Sequence, residues 1–255
     1  MKIIISPAKK MKTDTDTIEY QTTPVFLEET KELLEWLRKL SFEEAKKLWN
    51  CNEKIASQNY ERIQKMDLEA QLTPAILSYE GIQYQYMAPA VFEEKAMEYI
   101  QEHLRILSGF YGVVRPLDGI RPYRLEMQAK AKVNGTKDLY GFWKDKIYRQ
   151  VAGKGETILN LASKEYSKCV EDYLGPEDRC LTCVFGEWSD GKVRQKGTLA
   201  KMARGEMVRY MAEESIEDVR MIQGFDRLGY RFRPSLSSED TYVFLKEESQ
   251  NDRSK

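Results

Sequence analysis

Five charged side chains crowd the stretch from residue 115 to 126: Arg115, Asp118, Arg121, Arg124 and Glu126, with Pro116 and Pro122 among them and Tyr123 beside Arg124. Proline fixes φ and removes a backbone donor, so this segment reads as a stiff loop rather than a helix or strand. Upstream, residues 103–109 read as a helix end stopped at Gly109, with a second glycine at Gly112 before Val113 and Val114. Arginines held on a stiff loop beside glycines are the chemistry of anion recognition. The alternative is a turn-rich connection whose charges are solvated, and the residues alone leave both open.

Three further stretches carry the same chemistry. Ser6-Pro7-Ala8-Lys9-Lys10 follows directly on an isoleucine run, so a hydroxyl and two ammonium groups end a buried strand, where open α/β sheets bind ligands. Asn160-Leu-Ala-Ser163 ends a second apolar run, with Ser163 placed to cap a helix whose free N–H groups favour anions. In the helix expected from Thr198 to Glu214, Lys201, Arg204, Gly205 and Arg209 lie opposite an apolar arc of Leu199, Ala203, Met207, Tyr210 and Met211. A basic stripe with a glycine suits phosphate contact; a solvated outer face is the other reading.

Other conspicuous residues point to packing. The only histidine, His103, lies in the apolar arc of a helix expected over Phe92–Leu107 and reads as a core residue. Cys180 and Cys183 form a Cys-x-x-Cys, but in an apparent strand residues three apart face opposite sides, and no further ligands lie near. No metal site and no cofactor are expected. Tyr79, Tyr84, Tyr86 and Tyr99 read as packing residues with wet hydroxyls rather than a base-stacking platform.

The elements that must position these groups are legible in outline. Lys2–Ser6 and Thr157–Leu161 are expected as buried strands, with Cys180–Trp188 and Tyr242–Lys246 as further strands and a turn at Asp190-Gly191. Helices are expected over about 25–40, from Ser41 (with Glu44, a capping box) to Asn50, over 52–66 and over 138–152, with a strand near Ala75–Tyr79. A chain of 255 residues with 42% hydrophobic and 32% charged residues is a globular composition. Net charge is −1, so a basic surface must come from segregated charge. Four cysteines do not make a disulfide scaffold, no membrane span or signal peptide is evident, and a cytoplasmic setting is expected. The fold class is α/β (mixed α+β), one domain over residues 1–246 with a central mixed sheet and flanking helices, followed by a disordered tail at 247–255.

The ordered set of Ile-Ile-Ser6-Pro7-Ala8-Lys9, Leu-Ser-Gly109-x-Tyr111-Gly112-x-x-Arg115-Pro116-Leu-Asp118-x-x-x-Pro122-Tyr123-Arg124-Leu-Glu126-Met127, Lys137-Asp138-Leu139-Tyr140, Asn160-Leu-Ala-Ser163-x-Glu165-Tyr166, Lys201-x-Ala203-Arg204-Gly205 and Gly224-Phe225 resembles the YaaA family of peroxide stress proteins. Lys10 departs from the small polar residue expected there. The resemblance implies a single α/β domain with a helix-hairpin-helix element, which would place the hairpin at Ser108–Gly112, and a basic cleft that binds double-stranded DNA non-specifically. It also implies a role in limiting free iron and DNA damage under peroxide. Ser6, Lys9, Gly109, Gly112, Arg115, Arg124, Asn160, Ser163, Lys201 and Arg204 are then the expected anion contacts, with Lys9, Arg115, Arg124 and Arg204 converging on one cleft. The rival reading is an enzyme acting on a nucleotide-like or other anionic small molecule, with Lys9, Tyr123 and Glu126 as working groups; Glu126 would otherwise orient Arg124 by an ion pair.

Overall fold

The isoleucines of strand β1 (Lys2–Ile5) are fully buried because β1 is flanked on both sides by parallel strands, β2 (Leu104–Ser108) and β4 (Thr157–Leu161). β-branched side chains with no polar face suit such a central position. The computed structural model describes residues 1–153 and 155–247. Its main sheet has eight strands. The others are β3 (Gly112–Val114), β5 (Arg179–Ser189), β6 (Lys192–Arg194), β7 (Tyr230–Phe232) and β8 (Thr241–Lys246). Their order is β7-β8-β5-β4-β1-β2-β3, with β6 paired to β5. The five central strands are mutually parallel, and β3, β6 and β7 run antiparallel to their neighbours. The fold is thus mixed α/β around one sheet. The expected tail lies outside the described residues from 248 on; Glu247 accepts a hydrogen bond from Arg233 at 3.1 Å.

Helices α1 (Leu27–Arg38), α2 (Phe42–Trp49) and α3 (Glu53–Lys65) form a block with local causes. Ser41 and Glu44 make both halves of the capping box, and Asn52 Oδ1 accepts from Ile55 N at 3.0 Å. Helices α4 (Ile82–Met87), α5 (Glu94–His103), α6 (Leu139–Trp143), α7 (Lys146–Val151), α8 (Lys164–Glu171) and α9 (Gly197–Glu213) complete the part that matters to the site.

Several expectations change. The helix expected to reach Leu107 ends at His103, and 104–108 is β2. Ser108–Gly112 therefore joins β2 to antiparallel β3, and the expected helix-hairpin-helix element is not formed there. Residues 75–79 are not one strand: Ala75–Ser78 is a helical turn and Tyr79–Glu80 a short strand pairing with Lys10–Met11. The 138–152 helix is broken at Lys144, whose φ of 47° no continuous helix allows. Tyr79, Tyr84 and Tyr99 are buried, and His103 sits in the core with Nδ1 2.9 Å from Met1 O.

Candidate functional site

A cleft opens at the carboxyl ends of the three adjacent parallel strands β2, β1 and β4, the position where open α/β sheets leave room for a ligand. A serine stands at or within two residues of each strand's end: Ser108 ends β2, Ser6 follows β1 and Ser163 lies two residues past β4. Ser6 Oγ, just past β1, accepts from Ser163 N at 2.8 Å and donates to Ser163 Oγ at 3.1 Å. This explains why Ser163, at the N-cap of α8, makes no capping bond of its own. Ser108 Oγ, ending β2, hydrogen-bonds Tyr123 OH at 2.6 Å, and Tyr123 OH lies 3.0 Å from Tyr79 OH. Tyr84 OH donates to Ser6 O at 2.9 Å. The floor of the cleft is therefore a hydroxyl network tied to the strand ends.

The walls carry charge. The cavity, about 370 Å³, is lined by Lys9, Lys10, Arg124, Lys201 and Arg204, against Glu80, Glu126 and Glu165. Glu126 is bound on both oxygens: Oε2 lies 2.8 Å from Lys9 Nζ and Oε1 3.4 Å from Arg124 Nη2. Lys10 pairs with Glu80 at 3.1 Å, so the residue that departs from the family pattern brings charge that is already answered. Lys201 and Arg204 form no ion pair among the described residues.

The donors are the informative feature. Among the described residues six buried side-chain polar atoms lack a hydrogen-bond partner, and three of them, Gln83 Nε2, Arg124 Nε and Arg204 Nε, belong to residues lining this one cleft. Buried polar groups are nearly always satisfied, and an unmet donor costs about 1–3 kcal/mol. These three groups have no acceptor within the protein.

Packing explains how they meet. Gly205 on α9 lies against α4 so closely that a methyl group there would overlap the carbonyl oxygen of Gln83. The glycine serves the contact between α9 and α4 rather than a phosphate, and this contact brings Gln83 and Arg204, the residue before Gly205, to the same cavity. Burial lowers the Arg204 guanidinium from its ordinary value and pushes the Tyr123 phenol up to about 12, so that phenol is a poor base near neutrality. Glu165 is raised, chiefly by burial and also by the nearby Glu126 carboxylate, with backbone hydrogen bonds from Gln128 and Met127 opposing the rise.

Of the residues read from sequence, Ser6, Lys9, Tyr123, Arg124, Glu126, Ser163, Lys201 and Arg204 line this cleft. Arg115 does not: it lines a different cavity, beside Arg105. Gly109 and Gly112 are buried, and the hairpin N–H groups of Phe110 and Tyr111 are used on Ser108 Oγ at 3.2 and 2.8 Å. A side chain at Gly109 would overlap the Leu125 carbonyl; Gly112 has φ +70° against Trp143 and Phe26. Asn160 is 3% exposed and is spent on Glu171, at 2.9 Å, and on the Ala162 amide. Gln83 and Glu165 carry no role in the sequence reading, and Tyr84, read there as a packing residue, is buried with its hydroxyl on Ser6 O. Glu165 lay in the quoted Ser163-x-Glu165-Tyr166 pattern, in the first turn of a helix at a strand end; Gln83 has no sequence signal, since its burial depends on Gly205 far along the chain.

The whole chain can be compared with known proteins at this point. The family described as peroxide stress protein YaaA matches residues 1–236. The chain belongs to the YaaA peroxide stress family. It is similar to UPF0246 proteins of Agathobacter rectalis (57% identical over 244 residues, 96% of this chain and 98% of the other), Lachnoclostridium phytofermentans (56% over 249 residues, 98% of each) and Pediococcus pentosaceus (54% over 248 residues, 97% and 99%). Among the described residues no helix is long and apolar enough to cross a membrane, and no group of three or more His, Cys, Asp or Glu could hold a metal ion.

Proposed function

We propose that this protein serves peroxide defence by binding a phosphate-bearing ligand in the cleft at the carboxyl ends of β2, β1 and β4. The observation that carries the reading is the set of three unmet donors on Gln83, Arg124 and Arg204, beside Lys201, which forms no ion pair among the described residues, and Lys9, whose side chain is 65% exposed though paired with Glu126. An anion bound there would bring acceptors to residues that carry unmet donors, and its charge would meet Arg204 and Lys201, which form no ion pair among the described residues. The ligand read from family resemblance is the backbone of double-stranded DNA, bound non-specifically in the cytoplasm, with shielding of DNA and restriction of free iron as the consequence.

A small nucleotide-like anion is the second reading, and the burial of the donors favours it. Arg204 Nε and Gln83 Nε2 are shielded from the surface, where a compact phosphate monoester reaches more readily than a duplex. Lys9, Tyr123 and Glu126 would then be the groups nearest the reacting atoms. Titrating a short duplex over a salt series separates the two. Backbone binding makes log Kd climb steeply with log salt, with a slope of about one per phosphate neutralised. A duplex affinity that is flat or absent, together with a nucleotide recovered at stoichiometric amount from the gently purified protein, would assign the cleft to the small anion. Deletion of the gene should raise chelatable iron after peroxide exposure, and an unchanged iron pool would remove that part of the reading.

A further inference from the structure

The β2–β3 hairpin carries a second concentration of positive charge at its open end. The ladder pairs Ile106 with Val114. Arg105 precedes Ile106 and Arg115 follows Val114, so the two flank the last pair of the ladder. Both line one cavity of about 480 Å³ together with Tyr20, Thr22, Thr23 and Asp118. Neither arginine forms an ion pair among the described residues.

Of the carboxylates near Arg105, Asp118 and Glu156 already have partners, while the exposed Glu102 forms an ion pair with neither arginine among the described residues. Asp118 Oδ1 accepts from the Thr22 hydroxyl at 2.5 Å and Oδ2 from the Arg115 backbone N–H at 2.7 Å. Glu156, also on the side of Arg105, holds the chain's amino terminus at 3.4 Å and Lys2 at 3.8 Å. Arg105 spends Nη1 on the carbonyls of Leu104, at 2.7 Å, and Gln101, at 3.3 Å, which anchors its guanidinium and leaves its other nitrogens for a ligand. Arg115 is exposed, and its side chain makes no hydrogen bond among the described residues.

We propose that this cavity is a second oxyanion site, in which a phosphate group lies between Arg105 and Arg115 with the Tyr20 and Thr23 hydroxyls at its rim. It is distinct from the cleft. Ile4 pairs with Arg105, whereas Ser6 lies beyond the Ile5–Ile106 pair, so Ser6 and Arg105 are two residues apart along the strand direction, about 7 Å at roughly 3.3 Å per residue, and the two cavities share no lining residue. The phosphate could be free or part of a polynucleotide, and the chemistry of recognition is the same.

The test uses the intact protein with inorganic pyrophosphate and with a short duplex. Arg115→Gln should lose one class of pyrophosphate sites in calorimetry, while Arg204→Gln, on the cleft, retains that class. If pyrophosphate binding is unchanged but the log–log salt slope for the duplex falls by about one in Arg115→Gln, the site takes polynucleotide phosphate. An Arg115→Gln protein that matches the wild type in both titrations overturns the proposal. Melting gives an independent reading. Pyrophosphate should raise the Tm of Arg115→Gln less than it raises that of the wild type. An equal rise in the two proteins would overturn the proposal. The cleft reading is tested separately by Arg204→Gln.

Discussion

The carboxylate of Glu126 lies 2.8 Å from the ammonium of Lys9 and makes one wall of the cleft. Its other oxygen reaches Arg124, whose side chain is only 11% exposed, so a single carboxylate holds two of the cleft's cations in place. In the free protein Glu126 stands where a ligand oxygen would find the same two partners. It is an internal counter-charge to both cations.

Glu126→Gln should therefore tighten anion binding. The amide still accepts from Lys9 but no longer competes by charge, and the expected gain is on the order of tenfold in Kd, about 1.4 kcal/mol. Titration with sulfate, which does not change protonation near neutrality, measures it. Weaker binding would mean that Glu126 matters chiefly as the post that positions Lys9 and Arg124.

Glu165 makes the cleft pH-dependent. Its folded-state pKa is raised above the ordinary carboxylate value, so it takes up a proton as pH falls toward and through that raised value, and the cleft gains positive charge. Sulfate binding should strengthen as pH falls toward and through that raised value, and Glu165→Gln should flatten that dependence. The stability sign is the same: a carboxyl with a raised folded pKa stabilises the fold at low pH, and that contribution is lost as pH rises through the folded value. A wild-type profile that Glu165→Gln leaves untouched would assign the pH response elsewhere.

Gly205→Ala should cost roughly 1–3 kcal/mol, the range for overpacking a well-filled contact. The added methyl meets the Gln83 carbonyl of α4 and can be accommodated only by moving α4 or α9. Because Gln83 and Arg204 share the cavity, sulfate affinity should fall along with stability in denaturant unfolding. A variant with full stability and weakened binding would return Gly205 to the phosphate role read from the sequence.

What was legible in the sequence follows how local its cause is. Ile3–Ile5, the Ser41 and Glu44 capping box and the Asp190-Gly191 turn owe their conformation to neighbours in the chain, and each could be read directly; Asp190 and Gly191 take the positive φ a tight hairpin requires. Ser6, Lys9 and Ser163 were found because strand ends in an α/β sheet are predictable ligand positions. Residues 104–108 misread because Leu104 and Leu107 continue the helical period of α5, and no glycine or proline marks the break. Pairing with β1 decides that segment, and pairing is non-local. Arg115 was placed in the cleft because proximity in sequence to Arg124 was taken for proximity in space; the reversal at Pro116–Pro122 sends the two to different cavities. Cys180 and Cys183 do alternate along β5, Cys183 buried and Cys180 partly so, and burial pushes both thiols up, Cys180 to about 11.

The most direct test of the central claim is a crystal structure of the protein soaked in sulfate. The account predicts a sulfate ion in the cleft with oxygens about 3 Å from Arg204 Nε and Arg124 Nε and within reach of Gln83 Nε2, the normal N–H···O distance. A cleft holding only water at saturating sulfate, with those three donors satisfied by protein groups or solvent, would contradict it.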